Sequence, residues 1–333
     1  MGRGAVQPSA SRPAGGVLEA EARPSSPYAM PRGSADGTLR VERGVATRLL
    51  RVGRSPVLVR AWQPASDRVR LRAEALDPAR LRLPACAGEA ASAGAGELRV
   101  AIERMRFALA VDQDLGEFHR RFRRDPLVGP LLRRMPRFRP ARTPWPWEAL
   151  AWAIVGQLIE ADRAARIQRR IVGRWGARLG EGRSARRDVP GAETIAGRAP
   201  AELESMDLAG GRAAALRRVA HEVAAGRCAI ETAAGDRRLL AMPQIGPWTV
   251  RCLGLFGRGD ADSLPAGDLG YIKLVGRLAG LGRRATVAEV EEFYAPYEPF
   301  RGLVGSLTLA GLYRMVAYGP PRGRAPERRR AAA

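Results

Sequence analysis

Leu239-Leu-Ala-Met-Pro-Gln-Ile-Gly-Pro-Trp-Thr-Val250 is the stretch on which the fold of this chain turns. It reads as a helix ending at Met242, a four-residue turn, and a second helix with Pro247 at its first position, where a missing N–H costs nothing. Such a turn leaves the N–H groups of the second helix directed outward at the positive end of its dipole. That arrangement grips a nucleic-acid phosphate without reading sequence. Taken alone, the same turn also suits an ordinary pair of antiparallel helices packed in a core.

Downstream comes Ser263-Leu-Pro-Ala-Gly-Asp-Leu-Gly-Tyr-Ile-Lys273, with Asp268 just ahead of a helical stretch, a position that Asp favours as an N-cap. Further helices are expected at 269–280, 287–294 and 300–318. Upstream, three- and four-residue apolar spacing runs through Leu115, Phe118, Phe122, Leu127, Leu131 and Leu132. Two helices are expected between Trp147 and Trp175, and at least two between Ala199 and Ala225 with a break at Gly210-Gly211. Before about Val111 the period changes to two. Thr38-Leu-Arg-Val-Glu, Ala46-Thr-Arg-Leu-Leu-Arg-Val, Val57-Leu-Val-Arg-Ala-Trp and Val69-Arg-Leu-Arg-Ala alternate apolar residues with charged ones, and Glu97-Leu-Arg-Val-Ala-Ile is read the same way. The expected organisation is a disordered leader at 1–36, a sheet-containing domain at 37–110, a helical domain at 111–318 with its hairpin at 239–256, and a basic disordered tail at 319–333. The fold class is mainly α, with a small N-terminal antiparallel-sheet α/β domain.

The chain has 333 residues, with 56 Lys+Arg against 34 Asp+Glu and a formal net charge of +22. Lys273 is the only lysine. A surplus of this size points to a polyanionic partner. Nine arginines fall between Arg120 and Arg142, and nine more within 163–187. Each stretch alone could be a solvated helix face; two within one helical domain favour a phosphate-facing surface. No apolar run approaches the ~18 residues of a spanning helix, so no membrane partner is expected. The first thirty residues hold no apolar signal core, and a cytoplasmic location follows. Cys86, Cys228 and Cys252 show no CxxC spacing, and His119 and His221 lie far apart, which argues against a disulfide framework, a zinc site or a histidine pair. Any chemistry here falls to carboxylates or proceeds without side-chain metal ligands.

The hairpin and the Asp268 segment together resemble the helix-hairpin-helix DNA glycosylases, and within them the DNA-3-methyladenine glycosylase II group. That group's pattern is L-x-x-L-P-G-I-G-x-W-T-A followed by P-A-G-D-L-G. The likeness extends to Phe107-Ala-Leu-Ala-Val-Asp-Gln-Asp-Leu-Gly-Glu-Phe-His-Arg-Arg, Trp147-Glu-Ala-Leu-Ala-Trp-Ala-Ile-Val-Gly-Gln-Leu-Ile, Ala209-Gly-Gly-Arg-Ala-Ala-Ala-Leu and Tyr297-Glu-Pro-Phe-Arg301. It covers roughly residues 100–318, in the same order.

The resemblance implies two helical subdomains flanking a cleft, and a monofunctional enzyme that flips alkylated purines of the 3-methyladenine or 7-methylguanine type out of duplex DNA. The base is excised hydrolytically, leaving an abasic site. It implies Asp268 as the catalytic aspartate, Gln157 and Leu158 at the wedge into the duplex, and Trp248, Cys252 and Leu309 at the base pocket. Gln244, Ile245, Gly246, Trp248 and Thr249 are implied at the phosphate. No cofactor is required; a monovalent cation on the carbonyls of Leu240, Met242 and Ile245 is implied by relatives. The expected partner is double-stranded DNA containing damaged bases, met by a monomer of bacterial type held at the nucleoid through DNA. Four positions depart from the family pattern. Gln244 replaces a glycine, Glu160 a small serine, Leu309 a tryptophan and Cys252 a tyrosine. Trp248 stands where bifunctional relatives carry a nucleophilic lysine. A glycosylase for a deaminated or oxidised base, and a non-catalytic DNA-binding hairpin module, are the alternatives.

Overall fold

Period-two alternation builds the first layer. In the computed structural model, which describes residues 16–83 and 91–318, β1 (Val17–Ala22), β2 (Leu39–Glu42), β3 (Val45–Val52), β4 (Ser55–Ala65) and β5 (Arg68–Ala75) form one antiparallel sheet ordered β1-β5-β4-β3-β2. Glu42 pairs with Val45 across a two-residue turn in which Arg43 and Gly44 have φ of 49° and 78°, the left-handed pair that matches strand twist. Ala46, Leu50, Val57, Val59, Ala61, Val69, Leu71 and Ala73 are buried against α1 (Ala95–Ala108), which supplies Leu98, Ala101, Ile102 and Met105.

Two readings of the sequence change here. Residues 16–36, expected within a disordered leader, contain β1, which pairs with β5 from Val17↔Glu74 to Ala22↔Val69 and covers that sheet edge. Tyr28 in the same stretch is buried and donates its hydroxyl to the Leu109 carbonyl at 3.0 Å. The alternation was masked by Ala and Glu in a Gly/Pro/Ser-rich surround. Glu97–Ile102 is helix rather than strand. Leu98, Ala101, Ile102 and Met105 carry the helical period, and the Glu97 carboxylate accepts the Gly94 N–H at 2.9 Å. Residues 1–15, the segment 84–90 with Cys86, and the expected tail 319–333 lie outside the described residues.

The rest is helical. β6 (Leu81–Arg82) pairs with β7 (Arg178–Leu179), and β7 with β8 (Arg186–Arg187), in a small second sheet. One core gathers side chains of α4 (Pro146–Gly156), α5 (Ala161–Trp175), α6 (Ala192–Ala196), α7 (Pro200–Glu204), α8 (Gly210–Ala224), α9 (Asp236–Leu240) and α10 (Pro247–Cys252). Another gathers those of α2 (Gly116–Phe122), α3 (Val128–Arg134), α11 (Leu269–Leu278), α12 (Val287–Tyr294) and α13 (Arg301–Tyr318). The expected break at Gly210-Gly211 lies at the start of α8, the helical gap being 205–209 between α7 and α8. The glycines open α8, and a Cβ at Gly211 would come within 2.6 Å of Gln244 Nε2.

Sheet and helices meet through buried charge. Arg48 of β3 donates to Glu148 of α4 at 2.5 Å, with side chains 5% and 4% exposed. Arg51 pairs with Asp188, and Trp152 Nε1 donates to Asp36 at 2.9 Å. No described helix is long and apolar enough to cross a membrane.

Candidate functional site

The hairpin begins where α9 stops. Ala241 is its C-cap, the Ile245 amide donates to the Met242 carbonyl at 3.1 Å, and Gly246 is the N-cap of α10 with Pro247 following. Ile245 is buried and anchors the turn in the first helical core. Gln244 adopts φ 68°, the left-handed conformation that glycine takes without cost. Its side chain lies against Gly211 of α8. Pro247 has no N–H, and the Thr249 and Val250 amides donate to the Gly246 carbonyl at 3.0 and 3.3 Å, which leaves the Trp248 amide without an acceptor one turn back within the helix.

α4 delivers a second loop to this turn. It ends at Gly156; Gln157 is its C-cap, and Leu158 follows with φ 58° before α5 begins at Ala161. Leu158 is 104% exposed, so the ordinary expectation of a core leucine on an amphipathic helix does not hold. Left-handed backbone costs a non-glycine residue roughly 1–2 kcal/mol. The Gln157 amide donates to the Gln244 carbonyl and to Thr249 Oγ1, both at 2.9 Å. Glu160 is the exposed N-cap of α5.

Asp268 caps α11, accepting the Gly270 N–H at 2.7 Å, and is partly exposed. Gly270 makes room: a Cβ there would lie 2.9 Å from Leu309 Cδ1 and 3.0 Å from Asp268 Oδ1. Leu309 therefore sits over the first turn of α11, beside the carboxylate. Trp248 packs near Gly267, whose Cβ would lie 3.7 Å from Trp248 Cβ and 4.0 Å from Val287 Cγ2. Burial, with the Asp268 charge adding to it, pushes the Cys252 thiol up, so it stays protonated. Burial raises Tyr271 too, and Asp268 contributes there as well. Asp268, Trp248, Cys252 and Leu309 thus share one neighbourhood. Trp248 Nε1 is buried without a hydrogen-bond partner. Leu269 and Val287, which the sequence reading missed, are 48% and 45% exposed in this neighbourhood. Leu269, next to Asp268 in the first helical turn, could have been noticed; Val287 is brought in by folding alone. Lys273 is exposed on α11, beyond the first turn. Among the described residues no three His, Cys, Asp or Glu side chains converge as a metal site.

No family model matches the chain. A Bacillus subtilis protein named DNA-3-methyladenine glycosylase is 24% identical over 202 residues, 57% of this chain and 65% of that protein. The match therefore spans just under two thirds of that relative's length. A solved 3-methyladenine DNA glycosylase from Archaeoglobus fulgidus superposes with a TM-score of 0.72 at 19% identity, covering 88% of this chain and 98% of the other. This is the helix-hairpin-helix DNA glycosylase fold. A Clostridium acetobutylicum 8-oxoguanine glycosylase/lyase, solved with double-stranded DNA, shares the fold with a TM-score of 0.65 at 14% identity over 92% of this chain and 98% of its own.

On this glycosylase fold the arginine stretches divide by role. Arg139 donates to Ser26, and Arg142 to the Gly259 carbonyl while stacking 4.8 Å over Phe107. Burial and the neighbouring Arg139 bring Arg142 down to about 10, so it remains charged at neutral pH. Those two serve the fold. Arg163 pairs with Asp207 at 2.9 Å, and Arg169 donates to the Ala35 carbonyl at 2.7 Å. Arg120, Arg123, Arg124, Arg137, Arg166 and Arg174 are exposed.

Proposed function

We propose that this chain is a monofunctional DNA glycosylase that excises alkylated purines from duplex DNA. Leu158 carries the reading. An exposed leucine held in left-handed backbone gains nothing from folding, and an apolar side chain in that state suits insertion into a base stack. The two helical cores would form the walls of a cleft, with the flipped nucleotide between them; flipping costs a few kcal/mol, least for a damaged base.

Alkylation at N3 or N7 makes a purine cationic and weakens its glycosidic bond, so little acid catalysis is needed. The N–C1′ bond breaks with its electron pair leaving on the base, and water adds to C1′ with loss of a proton. Asp268 would stabilise the oxocarbenium-like sugar and orient that water. Trp248, Cys252 and Leu309 would line the base. Trp248 in place of a lysine nucleophile, with Lys273 remote, supports hydrolysis without strand cleavage. The amides at Gly246 and Trp248, with the exposed arginines, would hold phosphates. A monovalent cation, where bound, would rest on the Leu240, Met242 and Ile245 carbonyls, a neutral oxygen set suited to it. It would hold the turn in place.

The second reading, a deaminated or oxidised base, is favoured by the pocket itself: Leu309 and Cys252 offer no ring face to a cationic base. Incubation with methylated genomic DNA, with released bases identified by mass, tests both readings. Free 3-methyladenine and abasic sites without strand breaks are expected. Release of only deaminated or oxidised bases selects the second reading, and DNA binding without release of any base selects a non-catalytic DNA-binding module.

A further inference from the structure

The α4–α5 turn and the hairpin are joined by one side chain. Gln157 ends α4, and its Nε2 reaches both the carbonyl of Gln244, the left-handed turn residue, and the hydroxyl of Thr249 in the first turn of α10, at 2.9 Å each. Both protons of the amide are thereby used within the protein. Thr249 is 1% exposed, so its hydroxyl needs that partner. Residue 158, directly beyond this tie, is the fully exposed leucine. The turn has a second brace, from Arg212 of α8, which donates to the Val155 carbonyl at 2.8 Å. Gln244 in turn rests on Gly211 of the same helix.

We propose that Gln157 is a positioning residue that locks the Leu158 turn to the phosphate-gripping hairpin, so that gripping the backbone and inserting the leucine occur as one rigid unit. The proposal rests on the glycosylase reading for its substrate, but its geometry concerns only the wedge and the hairpin. The sequence pattern would give Gln157 a DNA contact; a side-chain amide already spent on two protein acceptors acts instead through its neighbour. Two neutral hydrogen bonds in a partly buried setting are worth about tenfold in the population of the locked turn. Loss of the tie should therefore lower excision from duplex DNA about tenfold and leave excision from single-stranded substrate, which needs no wedge, unchanged.

The deciding measurement uses a duplex carrying a tetrahydrofuran abasic site beside 2-aminopurine, whose fluorescence rises on unstacking and needs no catalysis. The full-length parent should raise the signal and Leu158→Ala should not. Gln157→Leu should bind with the parental salt dependence yet lose the fluorescence gain, and Thr249→Ser, which keeps the hydroxyl, should retain it. Gln157→Leu combined with Leu158→Ala should be no worse than Leu158→Ala alone, the non-additivity expected of residues acting as one unit. A full gain from Gln157→Leu overturns the proposal, as does a double variant that binds more weakly than Leu158→Ala. If Gln157→Leu does not fold, Thr249→Val, which removes one of the two acceptors, must show a smaller loss of the same kind. A parent that unstacks the probe but releases no base from any damaged DNA refutes the glycosylase reading and leaves the tie standing. A parent that binds without unstacking refutes the tie.

Discussion

The two ends of α4 invert the usual partition of side chains in opposite ways. Near its start, Glu148 is a charge taken out of water; just past its end, Leu158 is an apolar side chain put into it. Both are costly, and the difference lies in where the compensation comes from. Glu148 is answered inside the chain by Arg48, and Trp152 one turn on donates to Asp36, itself bonded by Ser34 and Thr38. Leu158 is answered by nothing among the described residues. A compensated inversion serves to seat the sheet on the helices; an uncompensated one marks a surface awaiting a partner. Asp268, partly exposed with one backbone N–H on its carboxylate, belongs with Leu158 in this respect.

The comparison breaks most visibly on Arg48→Ala. Removing one partner of a buried pair should cost about 3–5 kcal/mol in denaturant unfolding, while excision per folded molecule is unchanged. Asp268→Asn should do the reverse. Asn caps helices nearly as well as Asp, so unfolding should barely shift, but excision should fall by at least ~10²-fold through loss of a preorganised charge, with binding to lesion DNA retained. An Asn variant excising at the parental rate would leave Asp268 as a cap only.

Leu158→Ala comes next. If the side chain is exposed for function, the melting temperature should not fall and excision from duplex DNA should drop by about tenfold. A buried leucine would instead lose roughly 2–5 kcal/mol on truncation. Leu158→Gly should add up to about 1 kcal/mol of stability by relieving the left-handed backbone, with the same loss of excision; a destabilised glycine variant would contradict this. The smallest effect is on pH. Burial lifts the Glu148 carboxyl from 4.5 to about 7, against the pull of Arg48. A folded value above the unfolded one means that this contribution to stability is fully present below about 4.5 and is lost as pH rises through about 7. Stability curves of the parent minus Glu148→Gln should fall across that window and level off above it.

Legibility followed the range of the signal. The helices from α2 to α13, the five-residue α6 apart, were readable because apolar spacing is a property of neighbouring residues. β1 was not, since a Val-Leu-Glu-Ala-Glu-Ala strand shows its alternation only when Leu18, Ala20 and Ala22 find the sheet core. Glu97–Ile102 was misread because six residues sample both periods, and only Met105 one turn later separates them.

The sequence by itself determined the hairpin and the cap. Gly246, Pro247 and the Asp268–Gly270 step act through backbone preferences spanning a few residues, and so survive any packing. The tertiary structure alone decided that Leu158 faces solvent, that Gln157 spends its amide on the hairpin, and that Leu309 lies beside Asp268 across the first turn of α11. Those facts depend on contacts between elements far apart in the chain. A leucine on a helix end looks the same in one dimension whether a core or a base stack is meant to receive it.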